Sequence, residues 1–248
     1  MPAQWCYTQD QSINLRKKDD MLEINNLSKT YRQGSSDINV LSDLELLVEP
    51  GESVAILGQS GSGKSTLLSL VAGLDQPSSG SIVMNHQNIE QLSEKKLSEF
   101  RAKNLGIVFQ QFHLMSNLTA LENIRLPLEI FKDPKAQEKA SRAIEQVGLK
   151  HRANHFPSEL SGGEKQRIAI ARAFVVEPKI LLADEPSGNL DQDTGDKIME
   201  LIFEICRTNQ TTFILVTHNI SLAARCNRVL VLEHGRLNPY TGKTSDAY

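Results

Sequence analysis

The stretch GQSGSGKSTLL, residues 58–68, holds three glycines, three serines and a single lysine in its first eight residues, then turns apolar at Leu67 and Leu68. A flexible linker has no reason to end in one lysine against an apolar run. The residues before it, Ser53–Leu57 (SVAIL), are short and apolar and follow the turn signal Pro50-Gly51, which suits a buried parallel strand. The residues after it, Leu67, Leu68, Leu70, Val71 and Leu74, recur at helical spacing, with Gly73 near the end. Gly58, Gly63, Lys64 and Ser65 fit G-x-x-x-x-G-K-[ST] between a strand and a helix, the context of a phosphate-binding loop. Glycines let successive backbone N–H groups curl inward as an anion nest. The helix that follows adds its positive N-terminal end. Lys64 has the reach for the β- and γ-phosphates of a nucleotide, and the Ser65 hydroxyl can ligate Mg²⁺. Gln59, Ser60, Gly61, Ser62 and Thr66 complete the expected phosphate contacts.

Downstream, the same strand–helix alternation returns. Lys179–Ala183 (KILLA) reads as a buried strand that ends in two adjacent carboxylates, Asp184 and Glu185. Asp184 is placed to bind the hydration shell of Mg²⁺, and Glu185 to polarise an attacking water. Ile198, Leu201, Ile202 and Ile205 stripe a helix, Thr212–Thr217 and Arg228–Leu232 are strands, and His234-Gly235 is a hairpin-like turn. Upstream, strand-like runs occupy Met21–Leu27 and Leu44–Val48. The fold class is therefore α/β, with a largely parallel core sheet covered by helices on both faces.

Residues 85 to 160 break the alternation. Lys95–Lys103 is a polar, charged helix, and Thr119-Ala120-Leu121-Glu122 is a capping box that opens a segment carrying Leu121, Ile124 and Leu128. Pro127 is expected to kink or end that helix. Asp133-Pro134 is expected to cap and start the next one, closed by Gly148. This stretch reads as a helical insertion in the α/β core.

With 27 Lys and Arg against 30 Asp and Glu, the net charge of −3 speaks against nucleic-acid binding across the whole surface. Cys6, Cys206 and Cys226 are far apart with no CxxC, which fits a reducing compartment and neither a disulfide framework nor a zinc site. No apolar run approaches the ~18–20 residues of a membrane helix. Residues 1–20 are polar and unpatterned, with no apolar core of a secretory signal; they read as a disordered tail or as sequence upstream of a start at Met21. Residues 239–248 read as a short tail.

LSGGEKQRIAIARAF, residues 160–174, adds a second phosphate site: Ser161, Gly162 and Gly163 offer a hydroxyl, free N–H groups and a dipole at a helix start. LSGGE followed by QR resembles the signature of ATP-binding-cassette (ABC) ATPases, and the resemblance covers about residues 21–238. It implies a P-loop NTPase fold with an N-terminal antiparallel β subdomain and a helical subdomain within about 85–160. It implies ATP and Mg²⁺ as ligands, and a homodimer in which Ser161, Gly162, Gly163 and Glu164 of one subunit face the γ-phosphate held by the other.

The resemblance also gives roles to smaller elements. Tyr31 in LSKTYRQG matches the aromatic that stacks on adenine; without the resemblance it is an ordinary strand-end tyrosine. Gln110, ahead of its neighbour Gln111, matches the Q-loop glutamine that touches Mg²⁺ or water. Asp191 in SGNLD matches the D-loop at the dimer interface; otherwise it is a turn or N-cap aspartate. His218 matches the switch histidine at the γ-phosphate, and the other five histidines have no such role. Asn219 departs from the family, where Asp is common, and Ser187 stands where Thr is frequent.

FQQFHLM, LTALENIRLPL and ADEPSGNLD are most similar to ATP-binding subunits of the lipoprotein-release and macrolide-export family, and residues 217–237 to a member paired with a large predicted permease. That resemblance implies a peripheral subunit at the cytoplasmic face of the membrane, driving a separate integral permease. A regulatory ABC ATPase acting through a membrane protein, as in cell division, remains the alternative. A chromosome-type ABC ATPase needs long coiled coils, whereas only 95 residues without heptads separate Ser65 from Ser161. A translation-factor type needs two cassettes, and one is present. A non-enzymatic binding module would not fill every catalytic position.

Overall fold

In the computed structural model, residues 21–34 and 36–242 are described. The readings made for residues 1–20, and for 243–248 of the end tail, lie outside them. The chain runs β1 (Leu22–Gln33), β2 (Ser36–Val48), β3 (Ser53–Leu57), α1 (Lys64–Val71), β4 (Ser79–Met84), β5 (Gln87–Asn88), α2 (Glu94–Asn104), β6 (Leu105–Val108) and α3 (Ala120–Ile130). It continues through α4 (Ala136–Gln146), α5 (Gly162–Phe174), β7 (Ile180–Asp184), α6 (Gln192–Asn209), β8 (Thr212–Thr217), α7 (Ile220–Ala223), β9 (Arg228–Glu233) and β10 (Arg236–Pro239).

Two sheets result. The first is antiparallel, in the order β2-β1-β4-β5. The second has the order β10-β9-β3-β8-β7-β6 and is parallel except for the β9–β10 hairpin. β8 is buried along its whole length, as a central strand covered on both faces must be. One core fills the space between the two sheets and α1, with Leu22, Ile24 and Ile82 facing Ile56, Leu67 and Ile214. A second lies on the other face of the parallel sheet, where Ile170 of α5 and Ile198 and Ile202 of α6 cover Leu181, Phe213 and Leu215. A third holds α3 and α4 against α5 through Ile124, Ala140, Ile144 and Ile168. α5 thus belongs to two cores at once.

The structure alters several local expectations. β2 begins at Ser36, well before Leu44, because β1 and β2 form a long irregular ribbon with register shifts along it. Asn26 and Asp43 take left-handed φ of 47° and 49° within these strands. Pro127 does not end its helix: α3 runs on to Ile130, held by the capping box at Thr119 and by Ile124 and Leu128 buried in the third core. Asp133 does not cap the next helix directly; its carboxylate accepts from the Lys135 N–H at 2.8 Å in a turn, and α4 starts at Ala136. Leu105–Val108 lies in the parallel sheet against β7, so residues 85–160 contribute a core strand as well as the helices packed on α5. Cys206 and Cys226 are free thiols, both pushed by burial up to about 12.

Candidate functional site

β3, β8 and β7 are adjacent, and their carboxyl ends align: Leu57 pairs with Thr217, and Asp184 with Val216. Whatever follows each strand is delivered to one place, the edge where parallel α/β sheets bind ligands. After β3 comes the glycine loop, after β7 Glu185, and after β8 His218.

The loop is closely fitted. A Cβ on Gly58 would stand 2.5 Å from Ser62 Oγ and 2.8 Å from the Leu232 carbonyl oxygen, so only glycine fits. Gly63 has φ of 100°, which turns the chain into α1. The Ser62 hydroxyl is buried without a hydrogen-bond partner. Lys64 is buried, and its ammonium donates to the carbonyls of Gly58 and Gln59, both at 2.8 Å. Burial pulls the Lys64 ammonium below its ordinary range, while the carboxylates of Glu185 and Asp184 oppose that shift. Ser65, the second residue of α1, donates its hydroxyl to Asp184 Oδ2 at 3.0 Å. Burial pushes the Asp184 carboxyl up; the Ser65 hydroxyl and Lys64 oppose this, and Glu185 adds to it.

Glu185 has φ of 45°, an unusual conformation for a glutamate. Its N–H donates to the Val216 carbonyl at 2.9 Å, and its Oε1 lies 3.0 Å from His218 Nδ1. Both residues line a cleft of about 310 Å³ with Asp191, Thr217 and Asn219. A larger cleft, of about 910 Å³, sits at the opposite end of the sheet beside Pro50, Ser53 and Glu204, and none of the expected site residues line it.

Gln110 follows β6 and is tied to the loop after Glu185: its Nε2 donates to Asn189 Oδ1 at 3.2 Å, and Asn189 Nδ2 returns a bond to the Gln110 carbonyl at 3.0 Å. Ser161 is the N-cap of α5. Its hydroxyl accepts from the Glu164 N–H at 3.3 Å, and Glu164 accepts from the Ser161 N–H at 2.8 Å, a complete capping box. These bonds and Arg152 hold the Glu164 carboxyl below its ordinary range. Gly162 and Gly163 pack this helix start against Leu190 and Thr194. Asp191 is used locally: its carboxylate caps α6 by accepting from the Thr194 N–H at 3.0 Å. The Tyr31 hydroxyl donates to Asp75 Oδ2 at 2.7 Å, and the Lys29 ammonium lies 4.6 Å from the ring centre. Burial and Asp75 raise the Tyr31 hydroxyl, and Thr66 pulls it back.

The sequence reading gives no role to four contributors. Lys29 and Asp75 frame Tyr31, Asn189 holds Gln110, and Gln166 is buried beneath the site. Gln166 stands in the QR that follows LSGGE and shares a helical face of α5 with Ile170 and Ala173, and Asn189 lies within ADEPSGNLD, but neither residue type by itself names a hydrogen-bond partner.

The profile described as ABC transporter matches residues 41–188, more than half of the chain. The chain belongs to the ABC transporter family. It is an ATP-binding subunit of that family, an ABC-type ATPase. It is 46% identical over 221 residues to the ABC transporter ATP-binding protein YbbA of Escherichia coli K12, covering 88% of this chain and 97% of YbbA. It is 48% identical over 219 residues to the lipoprotein-releasing system ATP-binding protein LolD of Pseudomonas syringae pv. tomato, covering 88% and 96%. Among solved structures, the ATP-binding cassette MJ0796, captured as a dimer in a post-hydrolysis state with ADP and Pi, superposes with a TM-score of 0.81. That match has 39% identity and covers 88% of this ABC ATPase and 97% of MJ0796. The sequence expectation of an ABC ATPase fold, with an antiparallel N-terminal sheet beside the core sheet, holds.

Proposed function

We propose that this ABC ATPase hydrolyses Mg·ATP in a homodimer and thereby drives a separate membrane permease. The observation that carries the reading is the convergence of Lys64, Ser65, Asp184, Glu185 and His218 at the ends of three neighbouring strands. The loop of residues 58–66 fits a phosphate chain: its ammonium is fixed on loop carbonyls, a buried hydroxyl has no partner, and a helix start faces it. Ser65 and Asp184 present two adjacent oxygens, the kind of donor set that Mg²⁺ uses together with phosphate oxygens, and Gln110 would add a third. Bound there, Mg²⁺ would neutralise phosphate charge.

Lys64 holds the β- and γ-phosphates as a fixed positive charge. Tyr31 stacks on the base. Glu185 orients a water and takes its proton at the carboxylate, and His218, paired with Glu185, steadies the transferring phosphoryl group. Ser161, Gly162, Gly163 and Glu164 of a second copy close over the γ-phosphate, and Asp191 lies at that interface. The dimeric MJ0796 cassette supports this arrangement.

Residues 21–238 act as the ATP-binding domain, and the helical part within 85–160, including Gln110–Leu128, couples to the permease. Met115, Ile130, Phe131 and Phe156 leave apolar surface exposed there. No helix among the described residues is long and apolar enough to cross a membrane. The permease would carry out export or the extraction of lipid, lipoprotein or peptide, and the likeness to the lipoprotein-releasing system ATP-binding protein LolD supports lipoprotein among these, with this subunit at the cytoplasmic face.

Two measurements test the reading. Glu185→Gln should bind ATP, accumulate dimer on size-exclusion chromatography and turn over very slowly; turnover at the wild-type rate removes Glu185 as the base. Co-purification from native membranes, read by mass spectrometry, should return one integral permease, and its absence would sink the transport reading.

A further inference from the structure

Gln166 lies five residues into the signature helix α5, and its side chain is wholly buried. Its Nε2 donates to the Pro186 carbonyl at 2.6 Å and sits 3.4 Å from the Phe109 carbonyl. Both neighbours are acceptors, so the amide can only turn its N–H groups toward them. Pro186 follows Glu185, and Phe109 precedes Gln110. One buried side chain thereby joins the signature helix to the backbone beside two proposed site residues.

The other half of the amide makes this arrangement costly. Gln166 Oε1 is buried with no hydrogen-bond partner. An unsatisfied buried acceptor costs about 1–3 kcal/mol; an apolar side chain of similar shape would remove that cost but leave the Pro186 carbonyl without its donor, so the two effects oppose each other. What the donor contributes is offset by the partnerless oxygen, so glutamine has little net advantage for stability at this position. The Glu185 backbone gives the glutamine a use: its left-handed φ of 45° is a conformation that persists only where the surroundings hold it. The Glu185 N–H is held by the Val216 carbonyl, the Glu185 carbonyl accepts from the Gly188 N–H at 2.9 Å, and the next carbonyl along is held by Gln166.

We infer that Gln166 is a positioning residue: from the signature helix it fixes the Glu185 backbone so that the carboxylate meets His218. The inference rests on reading Glu185 as the group that polarises water. It makes the catalytic carboxylate sensitive to the seating of α5, the helix whose start would meet the second copy's nucleotide.

The experiment uses the full-length protein with Mg·ATP under dimerising conditions. Gln166→Met keeps the shape and removes the donor. Its turnover should fall about tenfold or more with KM for ATP within about twofold, the pattern of an interaction realised in the transition state. Its melting temperature should change little, because losing the partnerless oxygen offsets leaving the Pro186 carbonyl without its donor. Gln166→Glu should recover turnover relative to wild type as pH falls, since only the protonated acid can donate to Pro186. In a Glu185→Gln background, Gln166→Met should add less than about a twofold loss, because both changes disable one group.

Gln166→Met turnover within twofold of wild type would overturn the proposal. So would a joint loss of melting temperature and ATP affinity, a Gln166→Glu profile parallel to wild type, or a full second loss in the double variant. If Glu185→Gln turns over at the wild-type rate, the Glu185 assignment falls and this one with it. If Glu185→Gln is inactive and Gln166→Met is normal, Gln166 alone is wrong.

Discussion

His218 Nδ1 lies 3.0 Å from Glu185 Oε1, although the two residues come from the ends of different strands. The pair depends on β7 and β8 lying side by side and on the left-handed turn at Glu185. His218→Ala should therefore leave the fold and ATP binding intact, because the imidazole is largely exposed. Turnover should drop by about 10²–10³, the usual cost of losing one group that steadies transition-state charge. Steady-state ATPase assays with KM and kcat determined separately check this; a change confined to KM would place His218 in nucleotide binding alone.

Asp184 sets function against stability. Burial raises its carboxyl above the ordinary carboxylate range. A carboxyl raised in the folded state contributes stability below its unfolded value, near pH 4, and loses it as pH rises through the folded value. At neutral pH its charge is a cost to the nucleotide-free protein. Asp184→Asn should raise the melting temperature at pH 7, by about 2–4 °C for each kcal/mol relieved in a chain of this size. The gain over wild type should shrink as pH approaches 4, and ATPase activity should be lost. A lower melting temperature at pH 7 would contradict the burial argument.

Tyr31 has two separable parts. Its hydroxyl is bound by Asp75, whose carboxyl burial pushes up and the bonds from Lys29, Tyr31 and the Gln76 N–H hold below its ordinary range. Its ring is the surface proposed for the base. Tyr31→Phe should keep KM for ATP within about twofold. Tyr31→Ala should raise KM by roughly 5- to 150-fold, matching about 1–3 kcal/mol of stacking, with kcat little changed. Equal KM values for the two variants would rule out stacking.

Contiguous motifs made the site legible in the sequence. The strand limits of Ser53–Leu57 and Thr212–Thr217 could be read directly because both runs are apolar and bounded by turn residues. β6 was hidden because Leu105 follows the last residue of α2 with no intervening turn, and its Gly106 reads as a breaker. The hydrogen-bond partners were hidden for a different reason. Tyr31 meets Asp75 across 44 positions and Gln110 meets Asn189 across 79, and no local pattern encodes a contact between segments so far apart in the chain.

Asn219, the departure from the family pattern, has a local explanation that leads to a prediction. Its side chain caps α7, Oδ1 accepting from the Leu222 N–H at 3.2 Å, while its own N–H donates to Thr217 Oγ1 at 3.0 Å. Asp and Asn cap helices about equally well, so the amide costs the cap nothing. Asn219→Asp should keep the melting temperature and leave turnover within about twofold of wild type. Asn219→Ala removes the cap and should cost about 1 kcal/mol of stability. Because Asn219 links His218 to the start of α7, Asn219→Ala should also lower turnover more than Asn219→Asp does. Thermal melts and ATPase assays on the two variants decide the matter: a large loss in Asn219→Asp with a normal melting temperature would mean that residue 219 acts through its charge rather than through the cap.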